Sequence, residues 1–165
     1  MNRIDPKELN LRPFSLLDDD WALLVGGAER SNPMTVSWGG FGTLWNRPVV
    51  TVYVRPTRYT FGLLERDAEF TLNFLPEGKR AALDLCGSAS GRDTDKWAEA
   101  RLAPEPSSTI RVPRVAGARL AFECRILAHL DFDPARFLDR SIGRLYPKSD
   151  FHRVFLGEVL AAFQA

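Results

Sequence analysis

The densest run of chemistry-bearing side chains is Arg55–Thr60 (RPTRYT), where Arg55 and Arg58 stand three apart around Thr57, Tyr59 and Thr60. It follows the apolar run Val49–Val54 (VVTVYV), which reads as a buried strand bounded by Pro48 and Pro56. A helix starting just after that strand would offer unpaired backbone N–H groups and a partial positive charge. Two arginine forks and neighbouring hydroxyls at such a point suit a phosphate dianion. The plainer alternative is that Arg55 and Arg58 pair with Glu65 or Asp67, or face solvent. A second run, Asn32–Gly40 (NPMTVSWGG), places Thr35, Ser37 and Trp38 on one β-forming stretch, with Trp45 in the turn that follows. An aromatic beside small glycines can stack on a planar ligand. The alternative is that both tryptophans are core or interface residues. A planar ring next to a phosphate site describes a mononucleotide.

The rarer residues exclude other chemistry. The 165-residue chain has two His and two Cys. No zinc ribbon, CxxC pair or HExxH helix can be written from them, and no Ser–His–Asp or Cys–His set stands out. Cys86 and Cys124 read as small buried hydrophobes that would bridge only if the fold joined them. His129 has no assigned role, and Asp18–Asp20 reads as a solvated turn. The formal charge is +1, from 22 basic and 21 acidic residues. That argues against a nucleic-acid polymer or anionic membrane as partner. Only Lys7, Lys79, Lys96 and Lys148 are lysine, so the other 18 of the 22 are arginine, the better phosphate fork. No apolar run reaches membrane-span length and the first residues have no signal-peptide core, so a cytoplasmic location is expected.

These groups need a scaffold, and the pattern predicts one domain over 1–165 with residues 1–15 as a peripheral lead-in. Strands are predicted at Trp21–Ala28, Pro33–Gly40, Val49–Val54 and Glu69–Leu75. Helices are predicted from Thr57, as N-cap, to Arg66 and over Lys79–Cys86. Residues 87–114 read as a long functional loop with a helical turn near Thr94–Trp97. From Ala118 to Phe132 every second residue is apolar, and the polar intervening positions include Arg119, Glu123 and Arg125. So long a one-sided strand suits a barrel, where a bent strand serves two regions. Phe151–Phe163 is apolar on both faces, as in a central strand or one that meets a second subunit. Six or seven strands and two or three short helices make a mainly β, mostly antiparallel barrel with helices inserted in its crossovers.

Four runs in this order carry a family resemblance: Asn32–Gly39 (NPMTVSWG), Arg55–Thr60, Cys86–Trp97 (CGSASGRDTDKW) and His152–Glu158 (HRVFLGE). Together the chain resembles the flavin reductase-like FMN-binding split-barrel family, in its flavoredoxin-type branch, from about Trp21 to Leu160. The family usually has Phe where Trp97 stands, and Phe137–Tyr146 matches it less clearly. The resemblance implies a Greek-key-like split β-barrel that binds FMN and works as a homodimer. It implies that Thr35, Ser37 and Trp38 line the isoalloxazine, and that Asn32, Met34 and Val36 also bind the cofactor. Arg55, Thr57, Arg58, Tyr59 and Thr60 would hold the ribityl phosphate. Ser88, Ser90, Arg92, Asp95 and Lys96 would fold toward the flavin. Because the flavin carries the chemistry, no catalytic side chain is required, and the candidates are Ser37, Lys96 and His152. Ser37 and Lys96 could stabilise negative charge at the ring's pyrimidine edge. His152 stands either near the flavin or a nicotinamide phosphate, or as a strand histidine bonded to backbone. The implied activity is hydride transfer from NADH or NADPH to flavin N5. The alternatives are an electron carrier that meets a redox partner protein and has no nicotinamide turnover, or a barrel that has lost its flavin.

Overall fold

The period-two run of the sequence becomes the spine of the molecule. In the computed structural model, which describes residues 1–165, it forms β9 (Leu120–Asp131), antiparallel to β10 (Arg153–Gln164) along both lengths. Each of these strands keeps its other neighbour over only part of its length. Residues 120–125 of β9 pair with β6 (Glu69–Phe74). Residues 153–158 of β10 pair with β5 (Arg47–Val54), and 162–164 pair with β1 (Asn2–Ile4). The switch in β10 is made at register shifts near Leu156/Gly157 and Val159/Ala161. A Cβ at Gly157 would lie 2.5 Å from the Phe70 ring, so only glycine lets the bent strand approach the core there.

Beyond β6 lie β2 (Ala22–Gly26) and β3 (Asn32–Val36), and beyond β5 lies β4 (Gly39–Leu44). The resulting path β3-β2-β6-β9-β10-β5-β4 is antiparallel throughout and does not close on itself, as in a split barrel. Inside it pack Phe70, Phe74, Phe122, Phe155, Leu24 and Val52, each contributing about 1.5–3 kcal/mol by leaving water. A second core holds Leu23, Val25, Leu83, Cys86 and Val115 under α3 (Arg80–Ser88). β2 is therefore buried on both faces. The two free cysteines lie in different cores and form no disulfide. No helix is long and apolar enough to cross a membrane.

The expected barrel and the two long strands are present, and β10 is the central strand of the two options. Several local expectations need correction. Residues 1–15 are not peripheral: β1 extends the sheet, Ile4, Leu9 and Leu11 pack on the main core, and Pro13–Asp18 forms α1. Gly39 and Gly40 do not end a strand but begin β4, because Gly39 alone fits where a Cβ would come 2.6 Å from the Thr51 carbonyl oxygen. The β4–β5 hairpin turns through Trp45 and Asn46, both at positive φ, which leaves Trp45 exposed at its tip. α2 (Tyr59–Asp67) takes Arg58 as its N-cap with no side-chain cap bond, so Thr57 does not cap it. Residues 87–114 contain α4 (Lys96–Glu99) and a small ribbon of β7 (Pro104–Glu105) with β8 (Arg114–Val115). This segment covers the polar face of β9, so Glu123 is fully buried. Glu123 accepts from the backbone N–H and hydroxyl of both Ser108 and Thr109 and lies 3.3 Å from Arg114 Nε.

Candidate functional site

Two cavities meet at Arg58. The first, of about 210 Å³, is lined by Met34–Trp38 at the end of β3, Tyr53–Arg55 at the end of β5, Arg58 and His152. β3 is held in place by the Thr35 hydroxyl, which donates to the Leu83 carbonyl of α3. Trp38, 44% exposed, forms one edge and packs against His152 with ring centroids 5.1 Å apart. The second, of about 140 Å³, is lined by Asn32, Thr57–Thr60, Ser88–Gly91 and Lys96. It lies where β5 passes into α2 and where α3 ends, the junction that the Arg–Thr–Tyr cluster predicts.

The second cavity is built around uncompensated positive charge. Lys96 is only 3% exposed and its Nζ donates to the Cys86 carbonyl at 2.9 Å; Arg58 Nη2 reaches the same oxygen at 3.4 Å. Neither cation has a carboxylate within 4.0 Å. Burial, with Arg58 nearby, pushes the Lys96 ammonium down to about 8, and burial followed by Arg55 lowers Arg58. A buried and a half-buried like charge without a counter-ion cost stability until an anion joins them. The surrounding Thr57, Tyr59 and Ser90 hydroxyls match a phosphate. The cradle is close-fitting on one side: a Cβ at Gly91 would come 1.9 Å from Asn32 Oδ1 and 2.7 Å from the Tyr59 ring. Asn32 is itself fixed by donating to Thr60 Oγ1 at 2.8 Å. On this donor set the residues fit a ribityl phosphate, with the neighbouring cavity open to its ring.

The predicted residues divide among these places. Met34, Thr35, Val36, Ser37 and Trp38 line the first cavity, and Asn32 lines the second. Arg55 does not join that pocket. Its guanidinium bonds both Asp150 carboxylate oxygens at 2.9 Å and the Leu145 carbonyl at 3.0 Å, and lies 4.9 Å from the Tyr146 ring centre. The acids weighed as its partners are engaged elsewhere, Glu65 by Arg153 and Asp67 by Arg66. Lys96 lines the second cavity and not the first. Arg92 and Asp95 lie outside both cavities. Arg92 donates to the Thr57 carbonyl and sits over Tyr59, and Asp95 caps α4 through the Trp97 and Ala98 N–H groups. Ser88 lines the pocket, but its hydroxyl donates to Asp84. Trp97 uses its indole N–H to hold Ser31 at the start of β3, a bond that phenylalanine could not make.

His152 meets neither of its two readings fully. It lines the ring-side cavity, and its Nδ1 bonds the Tyr146 hydroxyl at 2.8 Å rather than backbone. Burial, then Arg55, pushes its pKa down to about 4, so it is neutral at pH 7. Tyr146 and Asp150, which sequence reasoning did not single out, hold His152 and Arg55 at the first cavity. They stand in the stretch before β10 with no motif of their own, and the only clue was the aromatic-rich run around Tyr146 and Phe151.

A family model described as "Flavin reductase like domain" matches residues 22–165. Among solved structures, flavoredoxin from Methanosarcina acetivorans superposes with a TM-score of 0.70 at 22% identity, covering 100% of this chain and 75% of the other. Nitrilotriacetate monooxygenase component B from Bacillus cereus gives 0.72 at 19% identity, covering 100% and 82%. An FMN-binding protein from Thermus thermophilus with bound p-hydroxybenzaldehyde gives 0.70 at 24%, covering 99% and 82%. At these identities the likeness establishes the shared split-barrel fold.

Proposed function

The chain belongs to the flavin reductase-like family, and from that premise we propose that it is an FMN-dependent oxidoreductase drawing electrons from NADH or NADPH. The observation that carries this reading is the pair of carboxylate-free cations, Arg58 and Lys96, directly beside a ring-side cavity edged by Trp38. FMN held there would supply the two-electron redox chemistry, with a nicotinamide as the hydride source. The chain's own residues bind and orient. Arg58, Lys96, Thr57, Tyr59 and Ser90 hold the phosphate. The end of β3 and the side of Trp38 fix the ring, and the Ser37 hydroxyl, which makes no protein hydrogen bond and is not sealed from the cavity, is free to meet its polar edge.

The same reading makes the protein a homodimer, with a cytoplasmic location. The argument from β10 does not support dimerisation, since its own sheet flanks that strand on both sides. Support comes instead from the outer end of β9, where Leu130 and Phe132 continue the apolar alternation at 55% and 38% exposure. Light scattering that gives a monomer would remove that part.

The purified protein should be yellow, or take up added FMN. An anaerobic titration with NADH and NADPH, followed by flavin absorbance, should bleach it. Bleaching by dithionite but not by either nicotinamide would make it a carrier that depends on a redox partner protein. A chain that takes up no FMN would end the proposal.

A further inference from the structure

We propose that Lys96 is a reversible modification site for carbon dioxide, which joins its Nζ as a carbamate and fills the phosphate-sized cavity in place of an external anion. The modification stands on the chain's own residues, and only its competition with FMN rests on the proposed function.

Two lysine or arginine side chains are buried, and the fold treats them differently. Arg114, 7% exposed, lies 3.3 Å from carboxylate oxygens of both Glu105 and Glu123. Lys96, 3% exposed, has no such partner and shares the Cys86 carbonyl with Arg58. The two cations are therefore neighbours on a cavity of about 140 Å³ with no acidic side chain on its wall. Thr57, Tyr59 and Ser90 line the same space. Ser90 accepts from the Arg92 N–H and keeps its own hydrogen to donate. A carboxylate built on Nζ would find the donors it needs in the Arg58 guanidinium and these hydroxyls. It would also turn two like charges into an ion pair.

Carbon dioxide is the reagent this cradle suits. It is small and uncharged, so it enters without the cost of burying an ion. Unlike an incoming anion, it does not raise the pKa of the amine that must attack it. Burial, then Arg58, lowers Lys96 to about 8 against the opposing influence of Cys86. At pH 7 the neutral amine is then about 300-fold more abundant than in an ordinary lysine. Cys86, pushed up to about 11, stays a neutral thiol beside it. The reaction balances without oxidation or reduction. The ammonium gives one proton to water, and the Nζ lone pair forms a bond to carbon. One carbon–oxygen π pair moves onto oxygen, and the nitrogen gives a second proton to water. Reprotonation of the nitrogen releases carbon dioxide again.

The test uses the FMN-free full chain labelled with nitrogen-15, in buffer at pH 8 holding carbon-13 bicarbonate and carbon dioxide. A carbamate carbon bonded to nitrogen-15 shows a one-bond coupling that bicarbonate lacks. Any free α-amino group reacts as well, so Lys96→Arg supplies the background. The parent should show one carbamate signal that this variant loses, and methylation of the carbamate followed by peptide mass spectrometry should place it on Lys96. The peptide arm needs no variant, so it decides even if Lys96→Arg misfolds. Saturating inorganic phosphate should lower the Lys96 signal at least about tenfold, because both anions use one cradle. No adduct on Lys96, or an adduct that phosphate leaves unchanged, overturns the inference. In the FMN arm, saturating carbon dioxide should raise the apparent FMN Kd by at least about threefold in the parent. An unchanged Kd overturns the inference. A parent that forms the phosphate-sensitive adduct but takes up no FMN supports the modification and counts against the proposed function.

Discussion

Replacing Lys96 with methionine should make the FMN-free protein more stable and the FMN complex weaker. Lys96 is 3% exposed and lies beside Arg58 with no carboxylate to offset either. Its pKa falls from 10.5 to about 8 on folding, which corresponds to about 3 kcal/mol of destabilisation while the ammonium stays charged. Methionine removes that cost but also removes the bond from Nζ to the Cys86 carbonyl, about 1 kcal/mol. Arg58 still reaches that oxygen, so it is not left bare. The net gain at pH 7 is about 2 kcal/mol. The folded-state pKa is the lower one, so between about 8 and 10.5 the unfolded chain binds more protons. Lysine's cost therefore fades as pH rises through that window. By about pH 10 the advantage of Lys96→Met should be close to zero. FMN affinity should move the other way, by about tenfold to a hundredfold, for the loss of one charge-assisted bond to phosphate. Urea unfolding of the FMN-free forms at pH 7 and pH 10, followed by tryptophan fluorescence, measures the first effect, and an FMN titration measures the second. A variant that is less stable at pH 7, or that binds FMN as tightly as the parent, would refute the account of the pocket.

Arg58→Ala should weaken FMN binding by at least about tenfold, whereas Arg55→Ala should leave it nearly unchanged and instead increase protease cleavage across residues 137–150, which Arg55 pins. Gly91→Ala should abolish FMN binding in the same titration, since its Cβ would drive Asn32 and Tyr59 into the pocket. Glu123→Ala should cost about 3 kcal/mol or more in urea unfolding, because Arg114 and the donors of Ser108 and Thr109 would lose their shared acceptor. The low pKa of His152 gives the parent an acid dependence. The unfolded chain takes up its proton near 6.5 and the folded one only near 4. Stability is therefore full above about pH 6.5 and falls by about 3 kcal/mol as pH drops to 4. That fall should be absent from His152→Gln.

What the chain's sequence revealed about the fold came from periodicity and punctuation, and what it concealed came from tertiary cover. Alternation over Ala118–Phe132 is a local signal, and β9 follows it. The same alternation assigns Glu123 to a polar outer face. It is buried because Ser107–Arg114, a segment with no periodicity, folds across that face and supplies four donors and a cation. Gly39 was misread for a related reason. A glycine pair is strand-ending punctuation unless a neighbouring backbone comes within contact of the missing side chain, and that neighbour, Thr51, is twelve residues away.

The site shows the same division in sharper form. Arg58, Thr57 and Tyr59 line one cavity because strand end and helix start fall within six consecutive residues. Arg55 was read with them by proximity, but a turn closed by the Arg58 N–H on the Arg55 carbonyl lies between the two arginines. What separates Arg55 from Arg58 is a partner 95 residues away, Asp150. Asp150 lies beside Tyr146 and His152, which form a second polar cluster bordering the first cavity. On the proposed reading, one of the two arginines, Arg58, would anchor the ligand's anion. The other anchors the segment that shapes what meets the ligand's ring. A variant series that treats the two as a single phosphate clamp would mix a binding effect with a substrate effect. Measuring FMN affinity and substrate KM on the two single variants separates them.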